Sequence, residues 1–410
     1  MRAIQFHLKA PRYLFSKFFG GLVTSLRFSR LGPVVYAEVS EPSLPNENWV
    51  KIRTVYGGIC ASDLSGILLK HPPQSYMSAF VSSPLGMGHE IVGVITEVGS
   101  GVTGLSVGDR VTVDPSLSCL TRGIEPMCPN CLKGDYSTCM NVAEGNLPPG
   151  TGIGSNNRTG GGWGEYVVGH KDRVHVLPES MSWETALFIE PLACAVHAVL
   201  KTPPQPGQFV LVFGAGTLGL CTVAALRALG FRGKILAAAR YPFQAQAAKD
   251  FGADEVLPPC GPELFEAVAR LTGGKLYSSI YGGNRMLLGG ADVVFDWVGS
   301  TQTITDGLKL LRGQGTFVMG GIGYPKVVDW TSLWFQEITI LGSSGHSTET
   351  WKGERLTTFA LAIRLLADSG IELSKLLTHR FALKDYQTAF NTAVHKGRSG
   401  AIKVAFQFPH

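Results

Sequence analysis

The stretch FVLVFGAGTLG, residues 209–219, decides the fold of this chain. An apolar, strand-like run leads into three glycines spaced Gly-x-Gly-x-x-Gly, and a helical pattern follows them. In this context Gly214 permits a tight turn, Gly216 lets a pyrophosphate approach the backbone, and Gly219 lets the helix lie close to the sheet. The amide groups at the helix start are then placed to bind phosphate. The predicted cofactor-binding residues of this loop are Gly214, Gly216, Thr217, Leu218 and Gly219.

Strands and helices alternate on both sides of this loop. Apolar strands are predicted at 235–238, 292–296 and 315–319, and a helix at 245–251 that ends at Gly252. Such alternation predicts a parallel, doubly wound sheet and therefore an α/β domain. The uncharged run 209–226 is just long enough to span a membrane, but a buried strand, turn and helix explain it better.

The residue after the next strand indicates which nicotinamide cofactor is used. Enzymes that bind NAD normally carry an acidic residue about twenty positions after the last glycine, where it binds the ribose hydroxyls. Here that position is Ala239, and Arg240 follows it. No carboxylate repels a 2′-phosphate and a guanidinium is available to pair with it, so we predict NADP in preference to NAD. The alternative is that Arg240 is only a solvated surface residue.

The part of the chain before Glu190 is β-rich, with Val, Ile and Thr runs at 48–58 and 90–113 and a long Gly- and Asn-rich loop at 146–164. After about Gly345 a helix and a final strand are predicted. We therefore expect a first domain of residues 1–189, completed by residues 346–410, and a dinucleotide-binding domain of residues 190–345.

A thiol, an imidazole and a carboxylate suggest a catalytic metal site. Cys60 and His89 lie in the β-rich part, and Glu190 lies at the entry to the alternating part. Together these donors form a zinc shell with one open position. Each is weak evidence alone, since a lone histidine or cysteine is often a core residue. Combined with the downstream glycine loop, they predict a zinc-dependent enzyme.

A second cysteine cluster has the spacing of a structural zinc site. Cys128, Cys131 and Cys139 lie close together in the sequence, which in a chain of this size indicates metal binding before disulfides. A closed four-coordinate site needs a fourth ligand. Cys119 and Glu125 are the candidates, and Cys119 is favoured because thiolates satisfy zinc better than a mixed shell.

The composition excludes several classes of protein. The chain has 410 residues, of which 45% are hydrophobic and 16% charged, so it can bury large cores and disorder is not expected. A net charge of +5 without a run of basic residues does not indicate a nucleic-acid-binding surface. No signal-peptide pattern opens the chain. We expect a cytoplasmic enzyme with a small-molecule substrate and neither a nucleic-acid nor a membrane partner.

The order of these motifs, from about Asn48 to the C-terminus, resembles the zinc-containing medium-chain dehydrogenases, nearest to the polyol and threonine dehydrogenase branch. The resemblance implies a GroES-like catalytic domain with a Rossmann domain inserted, and a homodimer or homotetramer. It implies an enzyme that transfers hydride between a secondary alcohol or polyol and NADP (or NAD), giving the ketone. The resemblance also assigns Cys60, His89 and Glu190 as ligands of the catalytic zinc.

By the same resemblance, Glu90 is a carboxylate beside the metal that can enter its shell. Asp63 orients the zinc histidine, and Ser62 takes the alcohol proton. Three features depart from the pattern. Ser65 replaces a histidine that passes the proton to solvent, Glu125 stands at the first structural-cysteine position, and residues 11–31 have no counterpart in compact relatives.

Several alternatives stay open at this point. The same fold occurs in zinc-free quinone and enoyl reductases and in non-catalytic cofactor-binding proteins, whereas a zinc-finger-like nucleic-acid binder would need a basic stripe. Residues 11–31 carry four basic residues among aromatics, which fits an amphipathic membrane-surface segment, an inserted hairpin or a subunit contact. Residues 70–84, with Tyr76 and Phe80, are expected to line the substrate pocket, and they do not identify the substrate.

Overall fold

The computed structural model describes residues 1–71 and 75–409, apart from the side chain of Tyr76. The chain divides into two compact units, residues 1–190 with 359–410, and residues 191–358. The second boundary lies later than the expected position after residue 345. Residues 348–357 form a short hairpin that groups with the second unit, and apolar periodicity in the sequence does not reveal to which unit such a hairpin belongs.

The first unit is built mainly from strands. Its N-terminal part consists of β1 (Arg2–Phe6), α1 (Ala10–Leu22), β2 (Val34–Glu38), β3 (Trp49–Ile59), α2 (Ala61–Ile67), β4 (Leu85–Gly86), β5 (Ile91–Val98), β6 (Arg110–Val113), α3 (Pro129–Lys133), β7 (Tyr166–His170), β8 (Val174–Val176) and α4 (Trp183–Ala186). The long loop expected at 146–164 is present, and its β-pairing is limited to isolated bridges at Gly152, Gly160 and Gly164.

The second unit alternates strands and helices. It contains most of α5 (Ile189–Lys201), then β9 (Phe209–Phe213), α6 (Thr217–Ala228), β10 (Lys234–Ala238), α7 (Pro242–Asp250), β11 (Glu255–Leu257), α8 (Pro262–Thr272), β12 (Lys275–Ser278), β13 (Arg285–Leu288), β14 (Ala291–Asp296), α9 (Thr301–Leu310), β15 (Leu311–Met319), α10 (Thr331–Phe335), β16 (Thr339–Gly342), β17 (Thr348–Trp351) and β18 (Glu354–Thr357).

The chain then returns to the first unit. This part consists of α11 (Thr358–Asp368), β19 (Leu377–Phe381), α12 (Tyr386–Val394), α13 (Lys396–Ser399) and β20 (Lys403–Gln407). The main sheet of the first unit has the order β19-β20-β3-β5-β6-β8, and β7 also pairs with β3. The C-terminal strand β20 lies antiparallel to β3 with Val404 opposite Ile59, which places the start of β20 beside the end of β3.

The sheet of the second unit is parallel throughout, with the order β11-β10-β9-β14-β15-β16. Numbered along the chain, this is the order 3-2-1-4-5-6 of the doubly wound dinucleotide-binding fold, in which ligands bind at the carboxyl ends of the strands. The predicted α/β class is confirmed. The uncharged run 209–226 is β9 and α6, and no helix in the described part of the chain is long and apolar enough to cross a bilayer.

A tryptophan in the core of the first unit fixes the backbone beneath the residues of interest. Trp163 is fully buried, packs against the rings of Phe390 and Phe406, and donates from Nε1 to the carbonyl oxygen of Gly58 at 2.8 Å. Its indole nitrogen is therefore satisfied inside the apolar cluster, as a buried tryptophan requires. This packing holds the end of β3 in place, and Cys60 follows directly.

Candidate functional site

Cys60 is positioned by the start of α2. The Cys60 backbone N–H donates to Asp63 Oδ2 at 3.1 Å, so the CASD sequence closes a capping arrangement at the N-terminus of this helix. Such a cap satisfies an amide that would otherwise have no partner. The same aspartate is thereby held in one orientation close to the Cys60 thiol.

His89 meets the second oxygen of that aspartate. Asp63 Oδ1 lies 3.3 Å from His89 Nδ1, which indicates a proton on Nδ1 and leaves Nε2 as the nitrogen available to a metal. Burial alone would lower the pKa of His89, but Asp63 and the Cys60 thiol raise it well above 6.5. The side chain is still 22% exposed, so the imidazole is accessible from one side.

Cys60, His89 and Glu90 form one cluster. Their ligand atoms lie within 4.8 Å of one another. A thiol, an imidazole and a carboxylate in this arrangement fit a zinc ion with an open position. Glu190 is the carboxylate predicted for this set, whereas the structure groups Glu90, the residue after His89, with Cys60 and His89.

Glu90 is held by a buried lysine that the sequence analysis did not identify. Lys403 Nζ, on β20, contacts both carboxylate oxygens of Glu90, and each residue is only 1% exposed. A side chain at position 58 would expel this carboxylate, since a Cβ there would lie 1.8 Å from Glu90 Oε2. The one signal in the sequence is a lone lysine inside the apolar strand AIKVAFQF, residues 401–408.

Other groups around the cluster also affect the pKa of Lys403. Burial acts to lower the pKa of Lys403, but Glu90, Cys60 and Glu190 together raise it. Glu190, in the first turn of α5, is itself buried and close enough to Lys403 to contribute to this shift. The ammonium group thus lies in a low-dielectric setting close to two carboxylates and the Cys60 sulfur.

The two serines near Cys60 differ in their surroundings. Ser62 is half-buried in the first turn of α2. Ser65 is buried and donates from Oγ to the carbonyl oxygen of Ala61 at 2.8 Å, which is an ordinary helix back-bond. This bond commits the Ser65 hydroxyl proton to the helix backbone.

The second cysteine cluster is complete in the structure. Cys119, Cys128, Cys131 and Cys139 have Sγ atoms within 4.8 Å of one another, and the Sγ atoms of Cys119 and Cys139 are 3.6 Å apart. Four sulfurs around a tetrahedral zinc, each at about 2.3 Å, lie about 3.8 Å apart. The arrangement therefore fits a zinc ion with Cys119 as the fourth sulfur, while Glu125 is exposed and outside this group.

Backbone amides are directed at these sulfurs. The amides of Cys128, Met140 and Asn141 donate to three different cysteine Sγ atoms at 3.3–3.5 Å. Burial acts against ionisation of Cys128, but hydrogen bonds from Met140, Cys131 and Cys119 lower its pKa to about 6. Burial instead raises the pKa of Cys139. Burial likewise raises the pKa of Cys131, so among these three thiols the hydrogen bonds to sulfur favour the thiolate form at Cys128.

Arg122 holds the loop that carries this cluster. Its fully buried guanidinium donates to five backbone carbonyl oxygens, those of Leu117, Glu144, Leu147, Pro148 and Gly150. Five N–H groups thereby meet five acceptors, which compensates the cost of burying the charge.

The glycine loop has the geometry that its sequence predicts. Gly214 has φ +90°, which favours glycine. A Cβ on Gly219 would lie 2.0 Å from the carbonyl oxygen of Gly214, so only glycine allows α6 to approach the loop. Helix α6 starts at Thr217, and its first amide groups are placed at the carboxyl end of β9.

Ala239 and Arg240 follow the carboxyl end of β10, the strand next to β9. Ala239 is half-buried and Arg240 is exposed. Helix α7 starts two residues later, at Pro242. Neither of the two positions after β10 carries a carboxylate, so the end of this strand presents a guanidinium and no negative charge.

Two family models and several known dehydrogenases are similar to this chain. The alcohol dehydrogenase GroES-like domain family matches residues 46–179, and the zinc-binding dehydrogenase family matches residues 217–360. D-xylulose reductase A of Aspergillus oryzae is 31% identical over 352 residues, which cover 85% of this chain and 87% of that relative. The chain belongs to the zinc-binding alcohol dehydrogenase family.

Further comparisons agree with this family. The dehydrogenase is 29% identical to sorbitol dehydrogenase of Halalkalibacterium halodurans over 375 residues, 91% of this chain and 95% of that relative. Its fold is similar to that of 2R,3R-butanediol dehydrogenase from Bacillus subtilis, with a TM-score of 0.73, 23% identity, and coverage of 100% of this chain and 99% of the other. The predicted family, fold and enzyme class, an alcohol dehydrogenase, are confirmed.

The segment expected to line the substrate pocket of this dehydrogenase is only partly described. Residues 72–74 lie outside the described residues, as does the side chain of Tyr76. Phe80 ends a short 3-10 turn, Tyr76–Phe80, and is half-buried.

Proposed function

We propose that this dehydrogenase is a zinc-dependent enzyme that transfers hydride between a secondary alcohol or polyol and NADP, giving the ketone. The observation that carries the proposal is the cluster of Cys60, His89 and Glu90 in a member of the zinc-binding alcohol dehydrogenases. When bound, zinc would act as a Lewis acid on the alcohol oxygen while the nicotinamide accepts the hydride.

Cys60, His89 and Glu190 are our proposed ligands of the catalytic zinc. Glu90 is the carboxylate beside the metal, and its contact with Lys403 supports this division, because its charge is already compensated by the ammonium group. Asp63 holds the His89 ring through Nδ1 and so presents Nε2. A matched pair of variants, Glu190→Gln and Glu90→Gln, separates the two roles, since only the first should remove the catalytic zinc.

Proton removal is the second requirement of alcohol oxidation. Ser62 lies two residues after Cys60, in the first turn of α2, and is half-buried. We propose that it accepts the alcohol proton. The Ser62 hydroxyl would give its own proton to water as it accepts that of the alcohol, because the Ser65 hydroxyl is bonded to the helix backbone.

Arg240 supports NADP as the preferred cofactor. Its exposed guanidinium follows the carboxyl end of β10, where a 2′-phosphate would lie if the cofactor follows the loop at Gly214 to Gly219. Planar guanidinium groups pair well with phosphate oxygens. The loop residues Thr217 and Leu218 would meet the pyrophosphate with their amides, and Ala239 leaves room for the ribose.

The four-cysteine cluster is our proposed structural zinc site, with Cys119, Cys128, Cys131 and Cys139 as ligands. The sulfur separations and the amide hydrogen bonds to sulfur support this assignment. The cluster is closed by four protein ligands and leaves no position for substrate, so its role would be to hold the loop between residues 117 and 150.

A polyol is the substrate class we favour. The relatives that cover most of this chain include sorbitol dehydrogenase and D-xylulose reductases. Several polyols differ only in length and stereochemistry, so an enzyme panel must include both sugar alcohols and short diols.

We also propose that the dehydrogenase is a homodimer or a homotetramer. Among the strands of the described residues, β16 is the edge of the parallel sheet, so the backbone N–H and C=O groups on its outer side can pair with a further strand. Trp334 and Phe335 in α10, just before this strand, are exposed at 71% and 55%. Large exposed aromatic residues beside an unpaired strand edge support an interface with a second copy.

The test measures nicotinamide absorbance with sorbitol, xylitol, butanediol, simple secondary alcohols and threonine, each with NADP and with NAD. Turnover that a chelator abolishes and zinc restores is expected. Cys60→Ala should lose turnover with the fold intact, while Cys260→Ala, which removes an exposed thiol in the second unit, serves as the matched control. Chelator-resistant turnover would favour a zinc-free reductase, and tight NADP binding without any turnover a non-catalytic protein.

A further inference from the structure

The N-terminal helix presents its large apolar side chains to solvent. In α1 only Ser16 and Gly20 are buried. Leu14, Phe18 and Leu22 follow one another at four-residue intervals on the other side, and Phe19 lies beside them. All four are exposed, Phe18 at 66% and Leu22 at 83%. These four residues are called the apolar helix face below.

This orientation is fixed by specific contacts within the first unit. Arg27 Nε donates to the Gly20 carbonyl oxygen at 2.9 Å, and a Cβ on Gly20 would lie 2.3 Å from Arg27 Cγ, so a small residue is required on the buried side. Arg12 donates to the carbonyl oxygens of Arg30 and Gly32. Phe28 is fully buried against Phe390. The helix therefore cannot turn its apolar face inward without breaking these contacts.

The charge of the segment has one sign. Residues 1–37 contain six arginines and lysines and no aspartate or glutamate. Lys9, Lys17 and Arg30 are exposed around the helix, and within the described part of the chain none of the three forms an ion pair. A surface of exposed phenylalanine and leucine bordered by cations is typical of helices that lie in the interface of an anionic bilayer.

A cavity lies beside the base of the helix. It has a volume of about 470 Å³, and its lining includes Arg12, Arg30, Lys384, Tyr36, Tyr386 and Gln387. Its lining residues include three cations and no carboxylate. Guanidinium, ammonium and phenol donors of this kind bind phosphate oxygens. This space is called the cationic cavity.

We propose that the apolar helix face docks on a bilayer that contains anionic phospholipid, and that the cationic cavity receives a headgroup phosphate. The enzyme would then be a peripheral membrane protein, in contrast to the expectation from composition alone. A second copy of the chain is a poorer occupant, since a symmetric contact through this face would oppose the same exposed cations without any acidic residue of the segment between them.

The proposal is tested by sedimentation of the full chain with vesicles of phosphatidylcholine alone and of phosphatidylcholine mixed with phosphatidylserine. Binding is expected only to the mixed vesicles and should weaken with added salt. Phe18→Ser/Leu22→Ser should reduce the partition coefficient roughly tenfold or more. Lys17→Gln/Arg30→Gln should reduce it roughly fivefold per cation. Dehydrogenase activity should not change in either variant.

Ile280→Ser/Tyr281→Ser is the matched control, because it removes two side chains that are 91% and 94% exposed on the hairpin of the second unit. It should bind vesicles like the wild type. The proposal is overturned if the wild type stays in the supernatant with mixed vesicles, or if the control variant loses as much binding as Phe18→Ser/Leu22→Ser. If the wild type does not bind vesicles and Phe18→Ser/Leu22→Ser has a different sedimentation coefficient from the wild type, the apolar helix face would be assigned to contact with a second copy instead.

Discussion

Replacing Lys403 by methionine leaves a buried carboxylate without its cation. Lys403 and Glu90 are each 1% exposed, and Lys403 Nζ contacts both oxygens of Glu90. Methionine keeps most of the volume of the side chain and removes the charge. Removing one partner of a fully buried ion pair costs about 3–5 kcal/mol, because the other charge stays desolvated.

That cost corresponds to a large shift in thermal unfolding. A unit of this size loses about 2–4 °C in Tm for each kcal/mol, so Lys403→Met should lower Tm by about 6–20 °C. The double variant Glu90→Gln/Lys403→Met removes both charges and should recover most of the loss. Lys51→Met is the matched control. Its pair with Glu97, at 2.8 Å, is partly exposed and should contribute less than about 1 kcal/mol.

The pH dependence has a defined sign. Burial acts to lower the pKa of Lys403, whereas Glu90, Cys60 and Glu190 raise it, and the net result lies above the ordinary 10.5. A raised lysine pKa contributes stability that is present below 10.5 and is lost as pH rises through the folded-state pKa. The difference between wild type and Lys403→Met should therefore be constant from neutral to mildly alkaline pH and shrink only at strongly alkaline pH.

Denaturant and thermal unfolding are measured for the wild type, Lys403→Met, Glu90→Gln and the double variant. Metal content is measured on the same samples, so that loss of metal is recognised. A Lys403→Met protein as stable as the wild type would refute the reasoning, since Glu90 would then have another partner or access to water. A double variant no more stable than Lys403→Met would also refute it, because the loss would come from packing and not from charge.

Four further outcomes are expected. Arg240→Ala should lower kcat/KM for NADP roughly tenfold and leave that for NAD unchanged, since an exposed charged hydrogen bond contributes about 1.5 kcal/mol; an equal loss with both cofactors would contradict the assignment. Cys128→Ser should lower Tm and should reduce the zinc content by about one ion per chain, while part of kcat persists. An unchanged zinc content would exclude a metal at this cluster. Asp63→Asn should weaken zinc affinity about 10–100-fold in competition with a chelator, and unchanged affinity would show that the contact with the histidine is dispensable. Gly58→Ala should destabilise the protein by about 1–3 kcal/mol by displacing Glu90, as unfolding measurements would show, and wild-type stability would place that carboxylate elsewhere.

Elements with a strong local pattern were predictable from the sequence. The apolar strand and glycine loop at 209–219 are β9 and the start of α6, and the strand predicted at 235–238 is β10. The reason is local, because the positive φ at Gly214 and the close approach at Gly219 exclude any residue with a Cβ. Motifs of this kind can be recognised from the sequence alone.

The structure of residues 11–31 could not be predicted from the periodicity of the sequence. The pattern of residues 11–31 fits a membrane-surface segment, an inserted hairpin or a subunit contact, and the structure contains α1 and a 3-10 turn, Thr24–Phe28, there. An amphipathic pattern shows that one face is apolar, but it does not show which face is buried. Here small residues pack inward, a choice that depends on Arg27 and Phe28 in three dimensions.

The two-part α/β architecture, the dinucleotide loop and the types of metal-ligand residues could be inferred from the sequence alone, because they depend on residue identity and short spacings. Only the tertiary structure decided which groups meet. It brings Cys119 to the other three cysteines, places Glu90 beside Cys60 and His89, and carries Lys403 across 313 positions to that carboxylate. The contact of Lys403 with Glu90 depends on the pairing of β20 with β3, and pairing between strands this far apart in the chain has no signal in local sequence.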